Sequence, residues 1–313
     1  MAIQKTRNDI VEFALTLVGA KAAEEDATAA DLQIASEALD DMVKDLQATG
    51  AHLWQRDFAT LFLQPEQKRY QIGGSSTDKA TADDTFQTSL SAAASSGATS
   101  VTLTSVTSLS TGDNFGIKQD DGTIHWTTVS TISTANVVTF PLATTDSASS
   151  GNFAFGYTTD LGKALRVPSA RRIQQSSNTS DATEIPMVQM GRTDYENLPN
   201  KSSEGIPVQY YYDPKDTFGY FYVWPVANTT SNKLDLTVYQ PIDVFSDADD
   251  PADFPNEWTS ALKYNLAVRI APLYDQTLPD MVLRTAERTL TNALNWDQGD
   301  APVHFAYSPH RWQ

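Results

Sequence analysis

The chain has 313 residues, of which 40% are hydrophobic and 19% are charged, so a globular protein with a buried core is expected rather than a disordered chain. Cysteine is absent, which excludes disulfides and thiolate chemistry, and 39 acidic residues outnumber 22 basic ones, which leaves a formal net charge of −17. Because proteins that grip DNA or anionic membranes need clustered Lys and Arg, this balance argues against tight binding to either.

The N-terminus shows no targeting pattern. Residues 1–13 (MAIQKTRNDIVEF) carry charges and lack an apolar signal core, and no run in the chain approaches the ~18 apolar residues that a membrane span needs. We therefore expect assembly in the cytosol, with neither secretion nor membrane insertion.

Two helices are predicted in the first fifty residues. Apolar residues recur at helical spacing between Ile10 and Val18, and Gly19 suits a helix C-cap. A second helix is predicted to begin at Thr28, with Asp31 in the spacing of a capping box, and to end at Gly50. Its apolar stripe is interpreted as a core face rather than a binding groove and comprises Leu32, Ala35, Leu39, Met42 and Leu46.

Beyond Gly50 the pattern is typical of strands. Residues 59–63 and 69–72 flank the sequence Gln-Pro-Glu-Gln at residues 64–67, which predicts a hairpin-like turn between them. Gly73 and Gly74 follow and are interpreted as a hinge into the next segment.

Residues 75–160 differ in composition from the rest of the chain. The segment lacks Arg and Glu, is rich in Ser, Thr, Ala and Gly, and has short β-branched runs at residues 100–104, 114–118, 124–132 and 137–140. Turn signals separate these runs, and a helical period is almost absent. The pattern predicts an inserted all-β domain, either a small barrel or a sandwich.

The remainder returns to a mixed pattern. Strand-like segments are expected at residues 165–167, 171–174, 208–212, 220–224 and 233–239, and a helical turn at residues 195–201. A helix that contains Trp258 is expected to break at Pro272, and the last helix is expected to run from Pro279 to Gly299.

These elements together predict an α+β fold: a helical body with a small β-sheet region, the inserted all-β domain and an extended C-terminal arm. The predicted core spans residues 1–74 and 161–299, the inserted domain residues 75–160, and the arm residues 300–313. The arm (DAPVHFAYSPHRWQ) lacks helical periodicity yet carries three aromatic residues that are costly to leave in water. It therefore either packs on its own domain or docks on another chain, and the residues alone leave both possibilities open.

The sequence contains no recognisable catalytic motif. Neither a G-x-S-x-G elbow nor an H-E-x-x-H helix accompanies any of the four histidines, His52, His125, His304 and His310, and no Gly-rich phosphate loop is present. We expect no catalytic residue, no metal ligand and no cofactor.

Three weaker interpretations were weighed. The acidic loop at residues 246–253 resembles a calcium loop, but it lacks the central Gly and the terminal Glu, which favours interaction with the following helix N-terminus. Glu24 and Asp26 could form the carboxylate pair of a glycosidase, although nothing places them across a cleft. Trp126 could stack on a carbohydrate, although the alternating polarity around it favours a core position.

Three blocks of the sequence resemble the head-to-tail adaptor, or tail accessory factor, family of short-tailed bacteriophages. Residues 14–73 show a short helix, an Ala- and Leu-rich helix, a Trp after a turn and a β pair ending in Tyr-Gln-Ile-Gly, and residues 254–274 read FPNEWTSALKYNLAVRIAPLY. The middle block, residues 195–225, has the family's ordered pattern at Tyr195, Lys201, Gly205, Pro207, Tyr211, Asp213, Trp224 and Pro225. The inserted domain is a departure, because shorter members of the family lack it.

The resemblance implies a structural, non-enzymatic virion protein that forms a ring of twelve subunits beneath the portal, extends the DNA channel and supports the distal tail. In that family the C-terminal segment contacts the portal, which favours docking of the arm through His304, Phe305, Tyr307 and Trp312. The implied partners are the portal protein, other copies of the chain, distal nozzle, needle or fibre proteins, and genomic DNA that passes without tight binding. A cell-wall hydrolase and a carbohydrate-binding or fibre-anchoring tail module remain the alternatives.

Overall fold

The computed structural model describes residues 6–22, 24–48, 54–174, 183–241 and 258–296, and within them the fold is mixed α+β, as predicted. The helices are α1 (Arg7–Val18), α2 (Ala29–Ala48), α3 (Arg192–Glu196), α4 (Trp258–Ile270) and α5 (Asp280–Trp296), and a 3-10 helix occupies Ala271–Tyr274. The strands are β1 (Trp54–Phe62), β2 (Arg69–Ile72), β3 (Ala80–Thr81), β4 (Phe86–Ser89), β5 (Ser100–Thr102), β6 (Asn114–Lys118), β7 (Ile124–Thr128), β8 (Thr131–Ile132), β9 (Val137–Thr139), β10 (Phe153–Tyr157), β11 (Arg166–Gln174), β12 (Glu184–Pro186), β13 (Val188–Gln189), β14 (Glu204–Gly205), β15 (Gln209–Pro214), β16 (Gly219–Trp224), β17 (Val226–Ala227) and β18 (Asn232–Pro241).

The chain divides into two compact units. The helical unit comprises Met1–Trp54 and Ile242–Gln313, and the β unit comprises Gln55–Pro241. The acidic loop at residues 246–253 and the arm at residues 300–313 lie outside the described residues. The domain limits that the sequence suggested stay a prediction.

The helix ends in the helical unit are set by local capping. Thr6 caps α1 through a hydrogen bond from the Asp9 amide, and Gly19 ends it in the left-handed conformation with φ of 80°. The Thr28 hydroxyl accepts a hydrogen bond from the Asp31 amide at the start of α2. The C-cap at Gly19 and the contact between Thr28 and Asp31 are confirmed, as is the break of α4 before Pro272.

Four helices of this unit share one apolar core. Trp258 is only 1% exposed and packs with aliphatic residues of α1, α2 and α4, while Ala293 contributes from α5. The predicted stripe on α2 faces this core: Ala35, Leu39 and Met42 are buried, and Leu32 and Leu46 pack against them partly buried. The interpretation of the stripe as a core face is confirmed.

The β unit is built on two sheets that pack face to face. One has the strand order β12-β11-β18-β1-β3 and the other β13-β15-β16-β2. Their shared core takes alternate residues from both sheets: Leu61, Leu234 and Leu236 from the first sheet meet Tyr210 and Phe221 from the second. We call these the five-stranded and the four-stranded sheet.

The predicted hairpin between β1 and β2 is wrong. Both strands form, but β1 lies beside β18 and β3 in the five-stranded sheet, whereas β2 pairs with β16 in the four-stranded sheet. The Tyr70 hydroxyl holds the connection by accepting from the Gln64 amide and donating to the Gln64 carbonyl. The turn therefore carries the chain from one sheet to the other, which lets both strands bury a face in the shared core.

Two other predicted elements have different bounds in the structure. The segments expected at residues 165–167 and 171–174 belong to the single strand β11, whose register shifts between Arg166 and Ser169. The helical turn expected at residues 195–201 lies earlier, in α3, because the Asp194 side chain accepts a hydrogen bond from the Gly191 amide and starts the helix there.

Residues 86–157 form a separate group of strands with their own core, which we call the small β unit. It has one open sheet ordered β4-β10-β6-β7 and one ordered β5-β9-β8. Phe115, Ile117 and Ala154 of the first sheet pack against Val101 and Val138 of the second. The all-β character expected of this segment is confirmed, while its description as a barrel or sandwich stays a prediction.

The small β unit packs against the outer face of the five-stranded sheet. Phe62 of β1 points away from the shared core, and its ring centroid lies 4.9 Å from that of Trp126 and 5.3 Å from that of Phe155. Gln64 adds two hydrogen bonds to the main chain of Ile124. Trp126 is half-buried in this cluster, in agreement with the core position favoured by its surrounding pattern.

Candidate docking surface

The residues predicted to dock on a partner, His304, Phe305, Tyr307 and Trp312, lie outside the described residues. The docking role of the arm therefore stays a prediction. The geometry of the described residues was searched instead for catalytic groups and for surfaces with unused binding capacity.

Of the side chains considered for catalysis, His52, His304 and His310 lie outside the described residues, and those that are described form no catalytic group. His125 is buried, and its Nε2 atom contacts the Leu142 carbonyl oxygen at 3.0 Å, which is a structural hydrogen bond. Glu24 and Asp26 are exposed in the connection between α1 and α2 and face no cleft. Among the described residues, no group of three or more acidic or histidine side chains could hold a metal ion, and no helix is long and apolar enough to cross a membrane.

A row of aromatic rings covers the outer face of the four-stranded sheet. Strands β15 (QYYYDP) and β16 (GYFYVW) place alternate residues on opposite faces, so Tyr210, Tyr212, Phe221 and Val223 enter the shared core. Their neighbours point outward. We define the tyrosine face as the five outer rings of Tyr195, Tyr211, Phe218, Tyr220 and Tyr222.

The rings of the tyrosine face touch one another in sequence. Their centroids lie 5.0 Å apart for Phe218 and Tyr220, 6.2 Å for Tyr220 and Tyr222, and 5.7 Å for Tyr222 and Tyr211. Tyr195, from α3, lies 4.8 Å from Tyr222 and is buried beneath the row, which raises its pKa by desolvation. Except for Tyr195 the rings are half-buried, so each leaves an edge or a face open to solvent.

Cations surround the tyrosine face. The Arg69 guanidinium lies 4.3 Å from the Tyr220 ring centroid, and the Lys201 ammonium lies 5.8 Å from that of Tyr195. Arg192 pairs with Glu196 at 2.8 Å, and Lys215 with Asp213 at 2.7 Å. Arg69 forms no ion pair with a carboxylate in the described part of the chain, so its charge remains available. The Lys201 ammonium also has no carboxylate partner there, but it donates to the main-chain carbonyls of Glu196 at 2.8 Å and Leu198 at 3.4 Å.

Charged neighbours and burial shift the pKa values of several groups on the tyrosine face. The hydrogen bond from Arg192 to Glu196 raises the pKa of Arg192, and the bond from Lys215 to Asp213 raises the pKa of Lys215. Burial raises the pKa of Tyr211, with the nearby Asp213 carboxylate acting in the same direction. These groups keep their ordinary protonation at neutral pH, and the face can act by stacking, by hydrogen bonding and by its cations.

Sequence reasoning identified the two aromatic strands but not the tyrosine face. The sequence signal for this face is that large aromatic residues stand at both the odd and the even positions of the two strands. A strand with one solvated side normally alternates large apolar residues with small or polar ones. Tyrosine and arginine are enriched at the energetic centres of protein interfaces. An outer face built from both is therefore a candidate docking surface.

The small β unit carries the opposite charge. Residues 75–160 contain eight Asp and two Lys, a formal charge of −6. Both lysines are engaged, Lys79 with Asp160 at 3.3 Å and Lys118 with Ser231 at 3.4 Å. We define the acidic flank as Asp120, Asp121 and Asp146 together with Leu142, which is 57% exposed.

Hydrogen bonds hold the acidic flank in one place. The Asp120 carboxylate accepts from the Ser149 amide and the Ser147 hydroxyl, which keeps its pKa below the usual value. The Gln119 side-chain amide donates to the Asp146 carbonyl at 3.0 Å. The turn at residues 119–123 is therefore fixed beside the loop at residues 142–149.

The helical unit has an apolar groove of about 280 Å³ between α2, α4 and α5. Met42, Leu46, Leu262 and Leu290 line it, and a 2.6 Å ion pair between Arg269 and Asp45 lies on its rim. The groove is a second surface on which an aromatic segment could pack.

Comparison with known proteins identifies one family. A family model described as "SU10 adaptor protein" matches residues 119–311, which is more than half of the chain. The match includes the acidic flank, the tyrosine face, helices α4 and α5, and nearly all of the arm. No curated protein matches the chain.

Proposed function

The chain belongs to the SU10 adaptor family, a structural family of phage adaptor proteins, and from this premise we propose that it forms the ring that joins the portal to the tail. As a phage adaptor it is a component of the virion. The observation that carries the proposal is the extent of the family match, which runs from the small β unit through the last helix and into the arm. The family match includes three of the four residues proposed to dock, His304, Phe305 and Tyr307, and ends one residue before Trp312.

Net charge supports the proposed passage for DNA. A ring of twelve copies at −17 each would carry roughly two hundred negative charges. Duplex DNA is repelled by such a surface rather than held by it, so it can move through without tight binding. The ring thereby extends the DNA channel and gives the distal nozzle, needle or fibre proteins a platform.

The small β unit is proposed as an insertion into the adaptor fold. The chain enters and leaves the segment at one place, because a Cβ atom on Gly73 would lie 2.6 Å from the Lys163 amide nitrogen. The Leu161 amide also donates to the Ala80 carbonyl at 2.7 Å. A segment whose two ends meet in this way can be added to a fold without moving the rest of the fold.

The arm is proposed to dock on the portal through His304, Phe305, Tyr307 and Trp312. A segment that orders on binding loses conformational entropy, so one arm binds weakly. Twelve arms on one ring gain through effective concentration, provided that their spacing matches the portal. Assembly by many weak contacts explains how a subunit could remain separate until a portal ring is present.

Truncation after Gly299 tests the arm. The shortened chain should fold, as judged by hydrogen exchange in α4 and α5, but should not co-sediment with purified portal rings. A triple substitution of Phe305, Tyr307 and Trp312 to Ala should have the same effect. Substitution of Pro302, Ser308 and Gln313 to Ala is the matched control, because it removes no ring and should leave binding unchanged. Normal co-sedimentation of the truncated chain would disprove the docking role.

The alternative to portal docking is that the arm packs into the apolar groove of the helical unit. If the arm packs on its own domain instead, truncation should uncover the partly buried groove residues Leu46 and Leu290, and hydrogen exchange in α4 and α5 should rise. That result, together with unchanged portal binding, would assign the aromatic residues to the subunit's own core.

A further inference from the structure

We propose that the tyrosine face of one copy docks on the acidic flank of the next copy, and that this contact closes the ring. The inference rests on the proposed ring function and specifies the contact between subunits, which neither the family description nor the resemblance assigns. It uses two surfaces of the β unit, neither of which includes a residue of the arm.

The tyrosine face has binding capacity that the subunit itself does not use. Its outer rings are half-buried, and Arg69 lies over the Tyr220 ring without a carboxylate partner among the described residues. Lys201 adds a second positive charge, although its ammonium already donates to the carbonyls of Glu196 and Leu198. Tyr and Arg side chains that become desolvated together form the strongest points of protein interfaces. A guanidinium that already lies against an aromatic ring gains further when a carboxylate completes its hydrogen bonds.

Charge complementarity identifies the occupant as a second copy of this chain. The chain is strongly acidic, so available cations on one face fit the acidic surface that every other copy presents. The acidic flank offers three carboxylates held in a fixed loop and one exposed apolar side chain, Leu142, that suits a tyrosine ring. Duplex DNA fits less well, because Arg69 and Lys201 are only two cations, whereas binding to phosphates needs a larger cluster of Lys and Arg.

The two surfaces lie on different sides of the β unit. The tyrosine face is the outer face of the four-stranded sheet, whereas the small β unit packs on the outer face of the five-stranded sheet through Phe62. One copy therefore cannot cover its own tyrosine face with its own acidic flank. A contact between copies that joins two different patches is heterologous, and such contacts generate rings when the rotation closes.

Cysteine cross-linking tests the contact without background, since the natural chain has no cysteine. Phage particles assembled with an Arg69→Cys, Asp121→Cys double variant are treated with a short bifunctional maleimide. Both positions are exposed, so folding should be preserved. The expected result is a ladder of covalent multimers, because each copy links to a different neighbour at each site. The single variants Arg69→Cys and Asp121→Cys should remain monomeric.

Any other pattern of cross-linked products contradicts the inference. Dimers from one single variant would show a symmetric contact, and absence of a ladder from the double variant would show that the surfaces do not meet. An Arg69→Cys, Met281→Cys double variant is the matched control, because Met281 is 79% exposed but lies in the helical unit. If the chain is present in particles yet no ladder forms, only the inference fails. If the unsubstituted chain is absent from particles, the proposed function fails.

Charge reversal provides the second measurement. Arg69→Glu with Lys201→Glu should lower incorporation into particles about tenfold or more, since like charges in an interface cost several kcal/mol. Asp121→Lys with Asp146→Lys should do the same. Co-expression of the two variants should restore incorporation, because reversed surfaces then match each other in alternating copies. Lys44→Glu with Arg288→Glu makes the same change of charge in the helical unit and should have little effect. Equal incorporation of all variants would refute the contact.

Discussion

The helical unit and the β unit build their cores from different side chains. In the helical unit, Trp258 is the one fully buried aromatic residue of an otherwise aliphatic core in the described part of the chain. In the β unit, Tyr70, Tyr210 and Tyr212 are buried, and their hydroxyls donate to the carbonyls of Gln64, Val167 and Ala164. Aliphatic packing is not directional, whereas each of these tyrosines needs a particular carbonyl, which for Tyr210 and Tyr212 comes from a segment more than forty residues away. This difference explains why the local sequence pattern predicts the helical unit better than the β unit.

Alkaline pH should produce the largest difference in stability between the β unit and the helical unit. Burial raises the pKa of Tyr210 to about 12 and raises the pKa of Tyr70 and Tyr212 as well. A phenol whose folded pKa lies above its unfolded value, about 10, stabilises the fold below that pH and loses this contribution as the pH rises through the folded value. In the helical unit, burial raises the pKa of one tyrosine, Tyr274, to about 12.

Hydrogen exchange above about pH 10 measures this difference. Amides of β11, β15 and β16 should lose protection at lower pH than those of α1 and α4, because several buried phenols must ionise in the β unit. Equal loss in both units would contradict the assignment of the buried tyrosines as the elements that hold the β core.

Trp258→Ala should produce the largest single effect in the helical unit. Removal of a fully buried indole leaves a cavity that the aliphatic core cannot fill, at a cost of about 3–5 kcal/mol. Urea denaturation followed by circular dichroism measures the loss. Tyr222→Ala is the counterpart in the β unit and should cost clearly less, because its ring is half-exposed on the tyrosine face. A similar cost for both variants would show that the tyrosine face is needed for stability rather than for docking.

Gly73→Ala should destabilise the β unit by about 2–4 kcal/mol. Gly73 has φ of +81°, and a Cβ atom there would lie 2.6 Å from the Lys163 amide nitrogen, where the two ends of the inserted segment meet. Gly97→Ala is the matched control: its φ is +82°, but nothing lies within 4 Å of its added Cβ, so it should cost only about 1–2 kcal/mol. Equal midpoints of thermal unfolding for the two variants would rule out a close approach at Gly73.

Thr28→Ala should have the smallest effect, about 1 kcal/mol at neutral pH. The Thr28 hydroxyl donates to the Asp31 carboxylate at 2.6 Å, and this bond, followed by that of Tyr274, lowers the pKa of Asp31. A carboxylate with a depressed folded pKa stabilises the fold above its unfolded pKa of about 3.9 and ceases to do so as the pH falls through the folded value.

The cost of Thr28→Ala should therefore shrink in acid, where the wild-type chain also loses the ionised Asp31. Urea midpoints at neutral and acidic pH measure this change, and Thr28→Ser, which keeps the hydroxyl, is the control. A cost that is independent of pH would mean that Asp31 gains nothing from the cap.

The helical elements could be predicted because the interactions that define them lie within one or two turns. The cap at Gly19, the contact between Thr28 and Asp31 and the apolar stripe of α2 all depend on residues three or four positions apart. The acidic balance and the absence of recognised catalytic motifs likewise follow from composition and spacing alone. The positions of the strands were predicted as well, although two predicted segments merge into β11, which pairs with the distant strand β18. The shift of α3 has a local cause, the cap between Gly191 and Asp194, which the sequence analysis missed.

The sequence by itself determined where helices and strands form, the acidic character of the chain and its resemblance to a phage adaptor. Only the tertiary structure decided that β1 and β2 part into different sheets, that alternate aromatic residues of β15 and β16 make a shared core on one side and the tyrosine face on the other, and that the small β unit lies across from that face. The physical reason is range: a helix satisfies its backbone within itself, whereas a strand must find its partners elsewhere, and many pairings satisfy the same alternating pattern.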